Sequence, residues 1–227
     1  MINTDNLDML KISSLFEPGR TVAWSYLSRF IWPWEALPEI GSIILQIGAT
    51  LDKEEYEGRP GNVWISKTAK VAASAHIGQC IIIDAGAEVR HGAFIRENAL
   101  VGAGAVVGNS TELKNVILFN GVQVPHYNYV GDSILGYKSH MGAGSITSNV
   151  KSDHTLVTVT CGKNKIETGL KKFGAILGDC VEIGCNSVLN PGAVIGPHTS
   201  VYPLSMVRGS IPPSSIYKKQ GEIAEKR

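Results

Sequence analysis

The chain is poor in charge, in aromatic rings and in long apolar runs. Charged residues make up 18% of its 227 residues and the net charge is +1, so no global field draws it to nucleic acid or to an anionic membrane surface. Its longest apolar stretches, such as Ile81-Ile82-Ile83, fall far short of the ~20 residues that span a bilayer. The start, Met1-Ile2-Asn3-Thr4-Asp5, lacks the basic-then-apolar order of a secretory signal. The expectation is therefore a cytoplasmic protein with no membrane and no nucleic-acid partner. Cys80, Cys161, Cys180 and Cys185 show no CxxC spacing and no nearby His pair. They read as reduced, mostly packed thiols rather than metal ligands. Aromatics are only 7%, against 25 glycines, a balance that suits many tight corners around a narrow core.

What the chain does have is a beat of six. Ile65, Val71, Ile77, Ile83, Val89, Ile95, Val101, Val107, Leu113 and Phe119 follow one another at six-residue spacing. A small residue stands four places after most of them: Ala69, Ala75, Ala87, Ala93, Ala99, Ala105 and Thr111. The beat returns at Leu177, Ile183, Leu189, Ile195, Val201 and Val207. Hexapeptide repeats of this kind signal a parallel β-helix, whose coil of three hexapeptides uses 18 residues. About six to seven coils are expected between Asn62 and Val207. Stacked at ~4.8 Å, they make a rod of about 30 Å.

The segments outside the beat define the organisation. Residues 1–60 hold Trp24, Trp32 and Trp34, a helical stripe after Pro38 (Ile40, Ile43, Ile44, Ile47, Leu51) and a weaker one at Trp24, Leu27 and Ile31. They are expected to form a helical cap over the open end of the rod. Residues 61–211 form the β-helix. Within it, a loop at 150–172 breaks the register. Thr155-Leu156-Val157-Thr158-Val159-Thr160, the Gly162-Lys163-Asn164 turn and Lys165-Ile166-Glu167-Thr168 read as a projecting hairpin. Residues 212–227, opening on Pro212-Pro213 and rich in charge, read as a solvated or frayed tail.

The chemistry concentrates near that break. His126 leaves the apolar register in Val124-Pro125-His126-Tyr127-Asn128-Tyr129. Histidine, with an ordinary pKa of about 6.5, is suited to taking a proton near neutral pH. It also suits a plain corner turn. Arg96, Glu112-Leu113-Lys114, His126 to Asp132, and Gly142-Ala143-Gly144-Ser145-Ile146-Thr147-Ser148-Asn149 resemble, in order, the motifs of the acetyltransferase domain of the bifunctional enzymes that make UDP-N-acetylglucosamine. Residues 169–179 are similar to the archaeal-type branch, and the likeness covers residues 63 to about 207.

This resemblance implies an all-β, left-handed parallel β-helix that assembles as a homotrimer with sites between subunits. It implies N-acetyl transfer from acetyl-CoA, as co-substrate, to an amino-sugar phosphate such as glucosamine 1-phosphate. His126 would be the general base. Arg96 and Lys114 would hold the sugar phosphate, Tyr129 would bond the phosphate or a hydroxyl, and Asn149 would orient the acetyl group or the amine. Ala143, with its backbone N–H near the oxyanion, Cys185 and Pro203 would contact CoA. His140 falls in the sugar-binding set where the bacterial enzymes carry an Asn. Val150-Lys151-Ser152 replaces their Tyr-Asp-Gly, and Thr155 and Thr158 stand where lysines are expected. Residues 1–60 are too few for the nucleotidyltransferase half, so acetyl transfer without nucleotidyl transfer is expected. Two alternatives remain at this level: a non-catalytic sugar-phosphate-binding or scaffold β-helix, and a γ-carbonic-anhydrase-like metal site. The second is disfavoured because His76, His91, His126, His140, His154 and His198 are widely spaced.

Overall fold

The computed structural model describes residues 6–226. Met1 to Asp5, read above for a signal, and Arg227 in the tail lie outside the described residues. The chain winds as a left-handed parallel β-helix of three faces. The first face stacks Ile65, Ile83, Val101, Leu118, Leu135, Leu177, Ile195 and Ile211 inward on one another. The second stacks Val71, Val89, Val107 and Val124, then Met141, Ile183, Val201 and Tyr217. On the third face Ile77 aligns with Ile95 and Leu113, Leu113 with Val130, and Thr147 with Leu189 and Val207. These inward side chains are almost all fully buried and form one core.

Most corners hold one residue in the left-handed backbone region. Between the third and first faces it is Asn62, Cys80, Asn98, Asn115 and Asp132; between the first and second, Gly86, Gly104, Gly121, Lys138, Cys180 and His198; between the second and third, Gly92, Ser110, Tyr127, Gly144, Asn186 and Leu204. Asparagine and glycine are favoured there because they tolerate positive φ at low cost.

The beat of six shortens to five at two successive corners, Leu113 to Leu118 and Val130 to Leu135. Ile95 aligns with Leu113, but Ala99 aligns with Val116, so this coil is one residue short at its Asn98–Asn115 corner. Leu118, not Phe119, therefore stacks on Val101. Phe119 leaves the inward column and packs its ring 4.8 Å from Phe16.

The N-terminal segment is helical, with α1 at Ile12–Leu15, α2 at Trp24–Leu27 and α3 at Ile40–Gly48. The Ile40, Ile43, Ile44 and Ile47 stripe of α3 is buried, as the spacing predicts. Ile31 of the weaker stripe lies beyond α2 and is exposed. The segment does not sit over an open end. It lies along the first face: α3 packs on strands His76–Ile83, Phe94–Val101 and Glu112–Leu118, and the 3-10 turn Pro33–Glu39 packs on Tyr129–Leu135. The physical reason is the outward side of that face. Ile82, Leu100, Ile117, Ile134 and Ile176 point away from the core and are still fully buried. A parallel sheet buried on both sides reads as an unbroken apolar run.

Two more expectations change. The inserted hairpin, strands Thr158–Cys161 and Asn164–Glu167, forms where the pattern placed it but does not project. It folds back on strands Ala193–Ile195 and Ser210–Ile211, burying Val157, Val159 and Cys161. The tail is not frayed either. Ser215–Lys219 carries the second face one rung further, and Glu222–Glu225 pairs with it antiparallel. At the other end Tyr56–Arg59 pairs antiparallel with Val63–Ser66. Reversed strands, rather than helices, thus blunt both ends of the stack against further parallel pairing.

Candidate active site

Strands Phe94–Val101, Glu112–Leu118 and Tyr129–Leu135 each begin on the third face and bend onto the first through Asn98, Asn115 and Asp132. Their leading residues bring Arg96, Glu112, Lys114 and Tyr129 together on the outer surface. Arg96 Nη1 donates to Glu112 Oε1 at 3.0 Å, and its Nε lies 3.7 Å from Glu97 Oε2. Lys114 Nζ lies 3.9 Å from Asp132 Oδ2, too far for a tight pair. Asp132, only 5% exposed, is the hub. Its Oδ1 accepts from Asn115 Nδ2 at 3.0 Å and its Oδ2 from Asn149 Nδ2 at 2.5 Å. The same Asn149 amide donates to Tyr129 Oη at 3.3 Å. Burial first, then the carboxylates of Asp132 and Glu112, push the Tyr129 phenol above its ordinary range, so it stays a neutral donor at physiological pH.

A second group runs along the corner between the second and third faces. His126 O accepts from Gly144 N at 3.1 Å, Ala143 O from Asn186 N at 2.8 Å, and Cys185 O from Leu204 N at 2.9 Å. His126, Ala143, Cys185 and Pro203 therefore occupy successive rungs of one edge, at a rise of ~4.8 Å each. His126 and Cys185 are exposed. Asn128, 2% exposed, locks this edge: its Oδ1 accepts from His126 N, and its Nδ2 donates to Gly142 O and Ser145 O.

The structure thus assembles the predicted residues into two sets. Arg96, Lys114, Tyr129 and Asn149 share one polar cluster. His126 shares an edge with Ala143, Cys185 and Pro203, and no hydrogen bond or ion pair ties its ring to the cluster. His140 belongs to neither. It sits on the second face with Nδ1 2.8 Å from Glu182 Oε2. Sequence reasoning gave no role to Asp132 and Asn128, which hold the two sets in place. Both stood within the quoted motif, but polar residues at corners read as turn formers. Among the described residues no three His, Cys, Asp or Glu side chains cluster as a metal site, and no helix is long and apolar enough to cross a membrane.

Residues 78–211 match the family model of the GMPPB C-terminal domain. The chain is 37% identical over 122 residues to the bifunctional protein GlmU of Methanococcus vannielii, covering 53% of this chain and 29% of that protein. It is 32% identical over 112 residues to a bifunctional sugar-1-phosphate nucleotidylyltransferase/acetyltransferase of Sulfurisphaera tokodaii, covering 49% and 28%. The matched region spans less than a third of the length of these curated relatives. Among solved structures, a hexapeptide transferase family protein from Anaplasma phagocytophilum superposes with a TM-score of 0.42 at 14% identity, covering 73% of this chain and 79% of that one.

Proposed function

Because the chain belongs to the family of the GMPPB C-terminal domain, we propose that it is a CoA-dependent N-acetyltransferase acting on an amino-sugar phosphate such as glucosamine 1-phosphate. The observation that carries this reading is the pairing of a cationic cluster with an exposed histidine edge. Arg96 and Lys114 grip the sugar phosphate through charge-assisted hydrogen bonds. Glu112 accepts from Arg96, and Asp132 lies 3.9 Å from Lys114, so the two cations are held beside one another. Tyr129, held neutral, donates to the phosphate or a sugar hydroxyl.

The step is acyl transfer. The amine nitrogen bonds to the thioester carbonyl carbon of acetyl-CoA while His126 takes a proton from that nitrogen. The tetrahedral oxyanion is held by backbone N–H groups at the Ala143 rung. Its collapse breaks the C–S bond. CoA departs as a thiolate and recovers the proton from the imidazolium. Ala143, Cys185 and Pro203 give CoA a straight track running from His126 along the rod. His140 would reach the sugar from the second face, held by Glu182.

Within one chain the histidine edge and the cluster face different ways around a corner. A homotrimer closes the site by setting the edge of one copy against the third face of the next, so light scattering is expected to give about three times the 24.3 kDa chain mass. The exposed, unpaired Cys185 suits a reducing, cytoplasmic setting.

The test is thiol release from acetyl-CoA across a panel of amino-sugar phosphates. Release with glucosamine 1-phosphate, falling about 10²–10⁴-fold in His126→Ala, is the expected result. Sugar-phosphate binding with no release for any acceptor would favour the non-catalytic reading. One observation leans that way: Lys151, in the altered Val150-Lys151-Ser152 segment, is engaged by Thr155 and Asp153.

A further inference from the structure

The third face does not end at the cluster. Lys114 aligns with Gly131. Tyr129 aligns with Ile146, Ile146 with Val188, and Val188 with Met206. Two residues on, Ser148, Asn190 and Arg208 therefore continue the outward column that begins at Lys114. The inserted hairpin, seated on the neighbouring first face, borders this column across the corner at Gly192 and Gly209. Between the two lies a cavity of about 400 Å³, lined by Ser148, Asn190 and Arg208 from the rod and by Lys151, Thr158 and Thr160 from the insertion. On strand Thr158–Cys161, Val159 and Cys161 are buried against the rod, while Thr158 and Thr160 remain half-buried. Asp153 also lines the cavity, but it is taken up by Lys151 at 3.5 Å and by the backbone N–H and hydroxyl of Thr155. Arg208 is solvent-exposed on the rim of the cavity and, among the described residues, makes no ion pair.

The cavity therefore offers the Arg208 guanidinium without a carboxylate, beside the Thr158 and Thr160 hydroxyls and the Asn190 amide, one N–H of which donates to Val207 O, while the Lys151 ammonium is shared with Asp153 and Thr155. Donors in excess of acceptors, around a planar guanidinium, are the chemistry of phosphate recognition. The volume exceeds that of a bare oxyanion and falls in the range of small-molecule sites. We propose that this cavity is a second anion site, which takes a phosphate monoester carried on a small organic body and is separate from the Arg96–Lys114 cluster. The site stands on its own geometry and does not depend on acetyl transfer.

Calorimetric titration of the full chain tests it without turnover. Glucosamine 1-phosphate, inorganic phosphate, CoA and dephospho-CoA serve as titrants. Arg208→Gln should weaken at least one of these phosphate ligands by about 10–100-fold, the range of a charged hydrogen bond converted to affinity. Arg208→Lys should recover part of the loss. The double variant Arg96→Gln, Lys114→Gln should leave the Arg208-dependent site titrating. Loss confined to the sugar phosphate assigns the monoester to an acceptor. Loss with CoA but not with dephospho-CoA assigns it to the nucleotide phosphate. Arg208→Gln isotherms that match the wild type for all four titrants overturn the proposal. An inactive His126→Ala protein should bind at this site as well as the wild type does, so failure of acetyl transfer and failure of the anion site are distinguishable.

Discussion

At the scale of single residues, the polar groups that matter most are buried at corners. Asp132 satisfies two asparagine amides and faces Lys114. Replacing it with alanine strands those donors, a penalty of about 1–3 kcal/mol. Asp132→Ala should lose that much stability in a denaturant melt and weaken sugar-phosphate binding together, because Asn149 and Lys114 lose their common anchor. Tyr56 gives the pH counterpart. Its hydroxyl donates to Asp84, and burial first, then this carboxylate, raises the phenol well above its ordinary value of about 10. A raised folded-state pKa contributes stability that is fully present below the unfolded value and lost as pH climbs through the folded one. The protein should hold its stability at neutral pH and lose it above about pH 10. Tyr56→Phe should flatten that alkaline slope while costing about 0.5–1.5 kcal/mol at pH 7. Melts across pH 7 to 11 separate the two effects.

At the scale of elements, the N-terminal segment acts as a strap. Asp179 accepts from Glu17 N and from Tyr137 N, each at 2.7 Å, and its own N–H donates to Leu15 O. Arg20 stacks 4.4 Å over the Tyr137 ring nearby. Asp179→Ala should free the 15–20 stretch, seen as faster amide exchange there, at a cost of about 1–3 kcal/mol. Gly108 marks the limit of coil approach: a Cβ there would meet Pro125 O at 1.5 Å. Gly108→Ala should destabilise by about 1–3 kcal/mol or more, through backbone displacement next to His126.

Much of this was legible in the chain. The six-residue beat gave the solenoid, and the hairpin was visible in its β-branched run and glycine turn. The slip at Asn98–Asn115 was hidden because Phe119 happens to be apolar where the count expected a core residue. The strap's location was written in triplets such as Ile81-Ile82-Ile83 and Val116-Ile117-Leu118, where a one-sided strand would alternate. Single-file counting of every sixth residue passes over the middle one. The motif residues Arg96, Lys114, Tyr129 and Asn149 do fall together, whereas His140 lies apart on the second face beside Glu182, because a linear order carries no information on which side of a corner a side chain emerges.

At the scale of the whole molecule, the rod is a three-sided prism with one side upholstered. A chain starting after Pro60 would uncover Ile82, Leu100, Ile117 and Ile134 as one apolar stripe. Such a stripe is an aggregation liability. The truncated protein should sediment as heterogeneous large species, whereas the full chain should give a single boundary. The closed side also has a geometric consequence. A prism with three equivalent sides could tile a plane without limit. With one side padded, each copy has two sides left to offer, and these two meet at the His126 edge. In the proposed homotrimer the padding would then act as a stop rule, closing growth at a finite ring.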